Sequence, residues 1–373
     1  MARKARSSAD VQERFAPAVA AAGRGRRSKG CRLPFDQTEV LAAVCKYFCK
    51  GHTATEIREI MQKRHGVEMR REDPYQFISL AASRGWIRFM PPYEHTLREQ
   101  IKNRCGWLQG VEVVHTSVFD DVGYHGARLL LELLQKHRMP PYSKDVVHVG
   151  FAGGHSMRKT AQAFAQLLRE PAEGLPKTVV FHAMVTGCDV DEPSTDPNAF
   201  FTYFLQDTAL QIESKFVGLH APIVVQSKDY AALRALKGIK EAYASAQDLD
   251  IIITSGASWS DPDSMLRQYS EQSPKTREAL EKAGCVCDIL WRPIGRTGPI
   301  EVETEIRAMT LIELQDLPRF IAQGKHVLLV LGPCVACNRP KTEMLEVILK
   351  VTPRLITHLV VDSGTARPMF TPA

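Results

Sequence analysis

Gly153, Gly154, His155 and Ser156 stand between the apolar run VVHVGF and a stretch in which Met157, Ala161, Phe164, Ala165 and Leu168 recur at helical spacing. The run reads as a buried strand and the stretch as a helix. Glycines let a backbone approach a ligand closely. A helix N-terminus adds unpaired N–H groups and a partial positive charge. The chemistry this permits is anion binding, with phosphate as the natural anion. The loop fits neither G-x-x-x-x-G-K-[ST] nor G-x-G-x-x-G, so ATP and dinucleotide binding lack their fingerprints. A plain tight turn with Ser156 as N-cap accounts for the same residues.

The cysteines are a second group with chemical potential. Cys285-x-Cys287 and Cys334-x-x-Cys337 both fall near the ends of expected strands. Four thiolates from two such loops could bind zinc or form a redox pair. Buried thiols filling small-residue positions are the plainer reading. On that reading the chain has no metal, and nothing in it implies a cofactor. The histidines show no H-E-x-x-H spacing.

Positioning such loops requires a scaffold. Expected strands are residues 111–115, 146–151, 178–185, 222–226, 250–254, 286–291, 326–331 and 355–361. Helical patterns fall between them, as at 126–137, 200–216 and 341–350. Alternation of this kind predicts an α/β fold with a largely parallel sheet. Ligands in such sheets lie beyond the carboxyl ends of the strands. That rule selects residues 153–156, 186–189, 255–259, 288–292, 332–341 and 362–365, and within them Gly187, Ser255, Gly256, Asp288, Arg339, Lys341 and Asp362.

Residues 36–90 read differently. Asp36 can cap a helix running to about Lys50, and Thr53 with Glu56 forms a capping box for a second that Gly66 ends. Asp73 as N-cap and Pro74 open a third, and WIRFM alternates like a wing strand. Three helices and a short strand outline a winged helix-turn-helix. Arg70, Arg71, Gln76 and Ser79 could reach DNA, although Glu72 and Asp73 would repel its phosphates. A helical dimerisation module is the alternative.

Composition fits both parts. The chain has 373 residues, 44% of them hydrophobic, enough for two domains and a large core. No apolar run is long enough to span a membrane, and the N-terminus lacks a signal-peptide core. Nine cysteines without an export signal imply reduced thiols and a cytoplasmic protein. Net charge is +6, yet residues 1–32 alone carry nine basic and two acidic residues. A basic tail beside a DNA-binding domain would attract the phosphate backbone. The expected organisation is a disordered tail over 1–33, a helix-turn-helix over 34–91, a linker helix over 92–110 and an α/β domain over 111–373.

In order and spacing, ATEIREIMQKRHG, AASRGWIRF, LREQIKNRCGWLQGVEVVHT, VGFAGGHSMRKTAQ, LDIIITSGAS, AGCVCDILWRPIGRTGPI and THLVVDSGTARPM resemble the SorC-type sugar-binding transcriptional regulators. The resemblance implies a sugar-phosphate-isomerase-like effector domain that binds a phosphorylated sugar without turning it over. It also implies operator DNA as partner and a homo-dimer or tetramer. The family's phosphate loop falls on Gly153, Gly154, His155 and Ser156, its loop lysine on Lys341 and its C-terminal acidic residue on Asp362. Arg339 or Lys341 would add a charge-assisted bond to phosphate, and Asp288 and Asp362 would accept from sugar hydroxyls. The competing reading is an isomerase-like enzyme with Asp288, Asp362 or Lys341 in acid/base roles.

Overall fold

The computed structural model describes residues 38–84, 86–87, 90–186, 193–205 and 208–371. The chain divides into two compact units at residue 89. The tail, Asp36, Gly187 and part of the expected wing (Gly85, Arg88, Phe89) lie outside the described residues.

In the smaller unit, helices Thr38–Cys49, Ala54–His65 and Asp73–Ser83 bury Leu41, Val44, Ile57, Met61, Phe77 and Ala81 against one another. Thr53 and Glu56 cap the second helix reciprocally. The Thr53 amide donates to Glu56 Oε2 at 2.7 Å, and the Glu56 amide donates to Thr53 Oγ1 at 3.3 Å. Gly66 ends the helix at φ 65°. The third helix opens one residue earlier than expected. Asp73 lies inside it, and its buried carboxylate accepts from the Arg70 amide at 2.7 Å.

The larger unit is built on seven parallel strands. Their order across the sheet is Gly110–Val114, His358–Asp362, His326–Leu331, Ile251–Thr254, Val146–Phe151, Thr178–Ala183 and Glu213–Val217. The runs HVLLVL, TVVFHA and IIIT are buried throughout, as strands covered on both faces must be. Helix His95–Arg104 buries Leu97 and Ile101 in the same core. Helices Phe119–Arg138 and His155–Leu167 pack together, and Phe181 stacks on Phe204 at 4.3 Å.

The order reverses at the centre of this sheet. From Val146–Phe151 the chain proceeds outward in one direction, and from Ile251–Thr254 in the other. Such a switch point opens a crevice at the carboxyl ends of the two strands.

Three expected elements differ. The helix expected over 200–216 is replaced by helix Pro197–Phe200, a single 3₁₀ turn and the edge strand Glu213–Val217. Phe200, Phe201 and Phe204 have helical spacing because all three plug into the core, not because a long helix carries them. The strand expected over 222–226 leaves the main sheet and pairs as Val224–Gln226 with Ile306–Ala308, antiparallel. The strand expected over 286–291 is Cys285–Ile289, in a separate antiparallel sheet with Gly256–Ser258, Arg292–Gly295 and Gly298–Pro299. Apolar strands look alike in sequence whichever sheet receives them. No helix among the described residues is long and apolar enough to cross a membrane.

Burial makes three histidines resist protonation. His182 and His326 are pushed down to about 3, and His358 to about 4. The folded state excludes their protons, whereas the unfolded chain takes them up below about pH 6.5. Their stabilising effect is therefore complete above that pH and declines below it, by about 1.4 kcal/mol per pH unit for each histidine. Urea unfolding between pH 7.5 and 5 should show this acid loss. His326→Phe, which keeps the ring packing, should flatten the slope by about one histidine's share.

Candidate functional site

A cavity of about 460 Å³ lies at the crevice, a volume suited to a small metabolite. Loops following three neighbouring strands form its wall. Gly153, Gly154, His155 and Ser156 follow Val146–Phe151, and Ser255 and Gly256 follow Ile251–Thr254. Cys334, Val335, Ala336 and Lys341 follow His326–Leu331, and Asp288, Leu290 and Trp291 enter from the antiparallel sheet.

Gly154, not Ser156, is the N-cap of helix His155–Leu167, and as a glycine it brings no capping side chain of its own. Gly154 adopts φ 100° and ψ 168°, a backbone state open to glycine alone. Its own amide is used, donating to the Thr195 carbonyl at 2.8 Å. Ser156 sits in the first helical turn, the positive end of the helix dipole, which favours an anion. Gly256 is required by close approach. A Cβ there would meet the Asp288 carbonyl oxygen at 2.2 Å, so glycine lets Gly256–Ser258 pair with Cys285–Ile289. This pairing carries Asp288 to the cavity.

Lys341 is buried, and its ammonium donates to the Gly256 carbonyl at 2.7 Å. Burial lowers its pKa, while Cys334, Asp261, Asp288 and Asp362 oppose that by favouring the charged form. Asp288 accepts from the Ser264 hydroxyl at 3.1 Å. Burial pushes its carboxyl up to about 7, against the Ser264 hydrogen bond and the Lys341 charge. Asp288 therefore passes between hydrogen-bond donor and acceptor near neutral pH. Leu290 and Trp291 make the turn after it at φ 53° and 57°, both left-handed without being glycine. That strained turn presents the Trp291 side of the hairpin to the cavity.

Two expected residues are not at the cavity. Arg339 is exposed and outside the lining. Asp362 is outside the lining and caps the last helix, its Oδ2 accepting from the Thr365 amide at 2.7 Å. The structure also separates the cysteine pairs. Cys285 and Cys287 are buried in their strand, and burial pushes the Cys285 thiol up to about 12 and raises that of Cys287 well above the ordinary thiol value. They behave as core thiols. Cys334 and Cys337 instead meet Asp261 and Asp263, one ligand atom from each residue lying within 4.8 Å of the others.

Sequence reasoning missed Trp291, Asp261 and Asp263. Trp291 lay in a selected window but read as the end of a strand. The two aspartates sit two residues apart just past a glycine turn, and that spacing was the available signal. A second cavity, of about 910 Å³, contains Arg292 and Arg307, but both guanidinium groups already bond Glu313 Oε1 at 2.9 Å. In the smaller unit, Arg70, Arg71, Gln76 and Ser79 are all exposed, and Gln76 and Ser79 share one outward face of their helix.

Residues 97–371 match the family described as "Putative sugar-binding domain". No curated protein sequence matches the chain. Among solved structures, the chain is similar to the full-length sorbitol operon regulator SorC from Klebsiella pneumoniae, at 15% identity and TM-score 0.63, over 90% of this chain and 99% of that one. It is similar to a probable sor operon regulator from Shigella flexneri, at 18% identity and TM-score 0.55, over 74% of this chain and 100% of that one. A DeoR family transcriptional regulator from Listeria monocytogenes is similar at 19% identity and TM-score 0.53, over 73% of this chain and 97% of that one.

Gly154→Ala tests the loop geometry. The added Cβ would meet nothing within 4 Å, so any cost is backbone strain alone. Urea denaturation should show a loss of about 1–3 kcal/mol. Unchanged stability would mean that the loop relaxes freely.

Proposed function

We propose that this chain, which belongs to the family described as "Putative sugar-binding domain", is a regulator of the SorC type whose larger unit senses a phosphorylated sugar or related metabolite while its smaller unit binds operator DNA. One observation supports this reading above the others. The N-terminus of helix His155–Leu167, which opens on the glycine pair, and the buried Lys341 side chain line one cavity at the sheet's switch point. The first-turn amides and the Ser156 hydroxyl donate to phosphate oxygens. Lys341 adds charge, Asp288 exchanges hydrogen bonds with sugar hydroxyls, and Trp291 supplies an apolar face for the ring.

The reaction expected of an isomerase-like enzyme has little support in this arrangement. Asp362 is not among the residues lining the cavity, and its Oδ2 caps the last helix, so it does not pair with Asp288 there. We read the site as an effector site without catalysis, in a cytoplasmic homo-dimer or tetramer. Effector would act by binding one quaternary state more tightly than another.

DNA binding is supported by the exposed set Arg70, Arg71, Gln76 and Ser79. The acidic start of that helix is a smaller obstacle than its sequence suggests, because the Asp73 carboxylate is buried and bonded to the Arg70 amide.

A thermal-shift screen against sugar phosphates and their unphosphorylated sugars tests the effector reading. A saturating ligand at about 100 times its Kd stabilises the native state by about 2.7 kcal/mol. Ser156→Asp should abolish the response to phosphate while keeping the fold, since an acidic residue suits a helix N-terminus. Absence of a response to every sugar phosphate would remove this reading.

The DNA prediction is independent. Replacing Arg70 and Arg71 together by Ala should reduce the slope of log affinity against log salt by about 2, or about 1 per lost phosphate contact. An unchanged slope that falls only when residues 1–32 are removed would assign DNA attraction to the tail alone.

A further inference from the structure

The loop after strand Gly256–Ser258 and the loop after strand His326–Leu331 converge at one wall of the cavity. The first brings Asp261 and Asp263, the second Cys334 and Cys337, and their four ligand atoms lie within 4.8 Å of one another. Asp261 and Cys334 are buried, whereas Asp263 and Cys337 are exposed. In a tetrahedral site two sulfurs at about 2.3 Å from the ion stand about 3.8 Å apart. The four groups therefore need only a small closing movement to surround one ion.

Both loops are braced for this. The Asp263 amide donates to Asp261 Oδ1 at 3.0 Å, which orients that carboxylate. The Cys334 amide donates to the Arg339 carbonyl at 2.9 Å, and the Asn338 amide donates to the Cys334 carbonyl at 2.8 Å. Asn338 takes φ 57°. The result is a tight C-x-x-C turn with both thiols toward the aspartates.

We propose that Asp261, Asp263, Cys334 and Cys337 form a closed, four-coordinate site for one thiophilic divalent cation of the zinc type. Two sulfur ligands select zinc over magnesium or calcium, which prefer oxygen alone. Binding converts two thiols to thiolates and releases their two protons, leaving two S–metal and two O–metal bonds with no change in oxidation state. Four protein ligands fill the coordination sphere, so the ion is structural. It reinforces two loops that already meet through a side-chain hydrogen bond between Cys334 and Asp261, and it fixes the wall to which Asp261, Asp263 and Cys334 contribute.

The test uses the full chain and Zn²⁺. Protein stripped with chelator under reducing conditions, reloaded with Zn²⁺ and desalted should retain about one metal per chain by mass spectrometry. Cobalt in its place should give the thiolate charge-transfer bands of a tetrahedral site with two sulfurs. Cys337→Ser and Asp263→Asn replace the two exposed ligands, so the fold should survive, as circular dichroism would verify. Each should retain less than roughly a tenth of the metal under the same desalting. Cys49→Ser, on an exposed cysteine elsewhere, should retain it in full. The cobalt spectrum of the unaltered chain reports the sulfur count whether or not a variant folds. Failure to retain zinc would overturn the proposal, as would retention by both ligand variants. A Cys334–Cys337 disulfide with no metal in protein isolated without reductant would overturn it in favour of a redox pair.

Discussion

A buried ammonium organises this site. Lys341 sits beneath the cavity with its charge held by the Gly256 carbonyl and within the field of Asp261, Asp288 and Asp362. A buried charge persists only when partners compensate for its lost hydration. The partners here come from three separate parts of the chain, and each must be delivered by its own strand end. The arrangement of the sheet follows from the same requirement. The glycine turn after Ile251–Thr254 has to lie close enough to accept from Lys341, while its backbone also pairs with the strand that carries Asp288.

That double duty explains Gly256. Any side chain would collide with the Asp288 carbonyl and with Met344 from the helix behind it. Removing the close approach would separate lysine from its acceptor and carboxyl from cavity together. Gly154 serves in a different way. Its backbone state opens the helix that follows directly at the cavity, so the positive end of that helix faces it. One glycine permits a close contact and the other a turn into a helix, and both face the same 460 Å³.

Much of the fold was legible because burial on both faces leaves a continuous apolar run. VVHVGF and HVLLVL were located to the residue, and the run before Asp362 was found although it starts three residues later than expected. The capping box at Thr53 and the terminating Gly66 were equally readable, since both are local devices. The sequence 200–216 misled because core aromatics at helical spacing need not share a helix. Of the candidate site, the glycine loop, Ser255, Gly256, Asp288 and Lys341 came together at the cavity, whereas Arg339 and Asp362 did not. Both exceptions carry the right chemical groups at the right strand end. Their direction is set by contacts that sequence spacing does not encode, such as the Asp362 carboxylate turning to the Thr365 amide.

The sequence by itself determined that most of the buried strands and the capped helices exist, because periodicity and capping act over a few residues, although not every boundary. It also determined that a hydroxyl-and-glycine loop would meet a helix N-terminus, since strand, turn and helix are contiguous there. The tertiary structure decided which strands share a sheet, and therefore which loops share a cavity. Cys285 and Cys287 went to a packed antiparallel strand, while Cys334 and Cys337 met two aspartates more than seventy residues earlier in the chain. Pairing between distant segments depends on the summed burial of all of them, and no local pattern carries that sum.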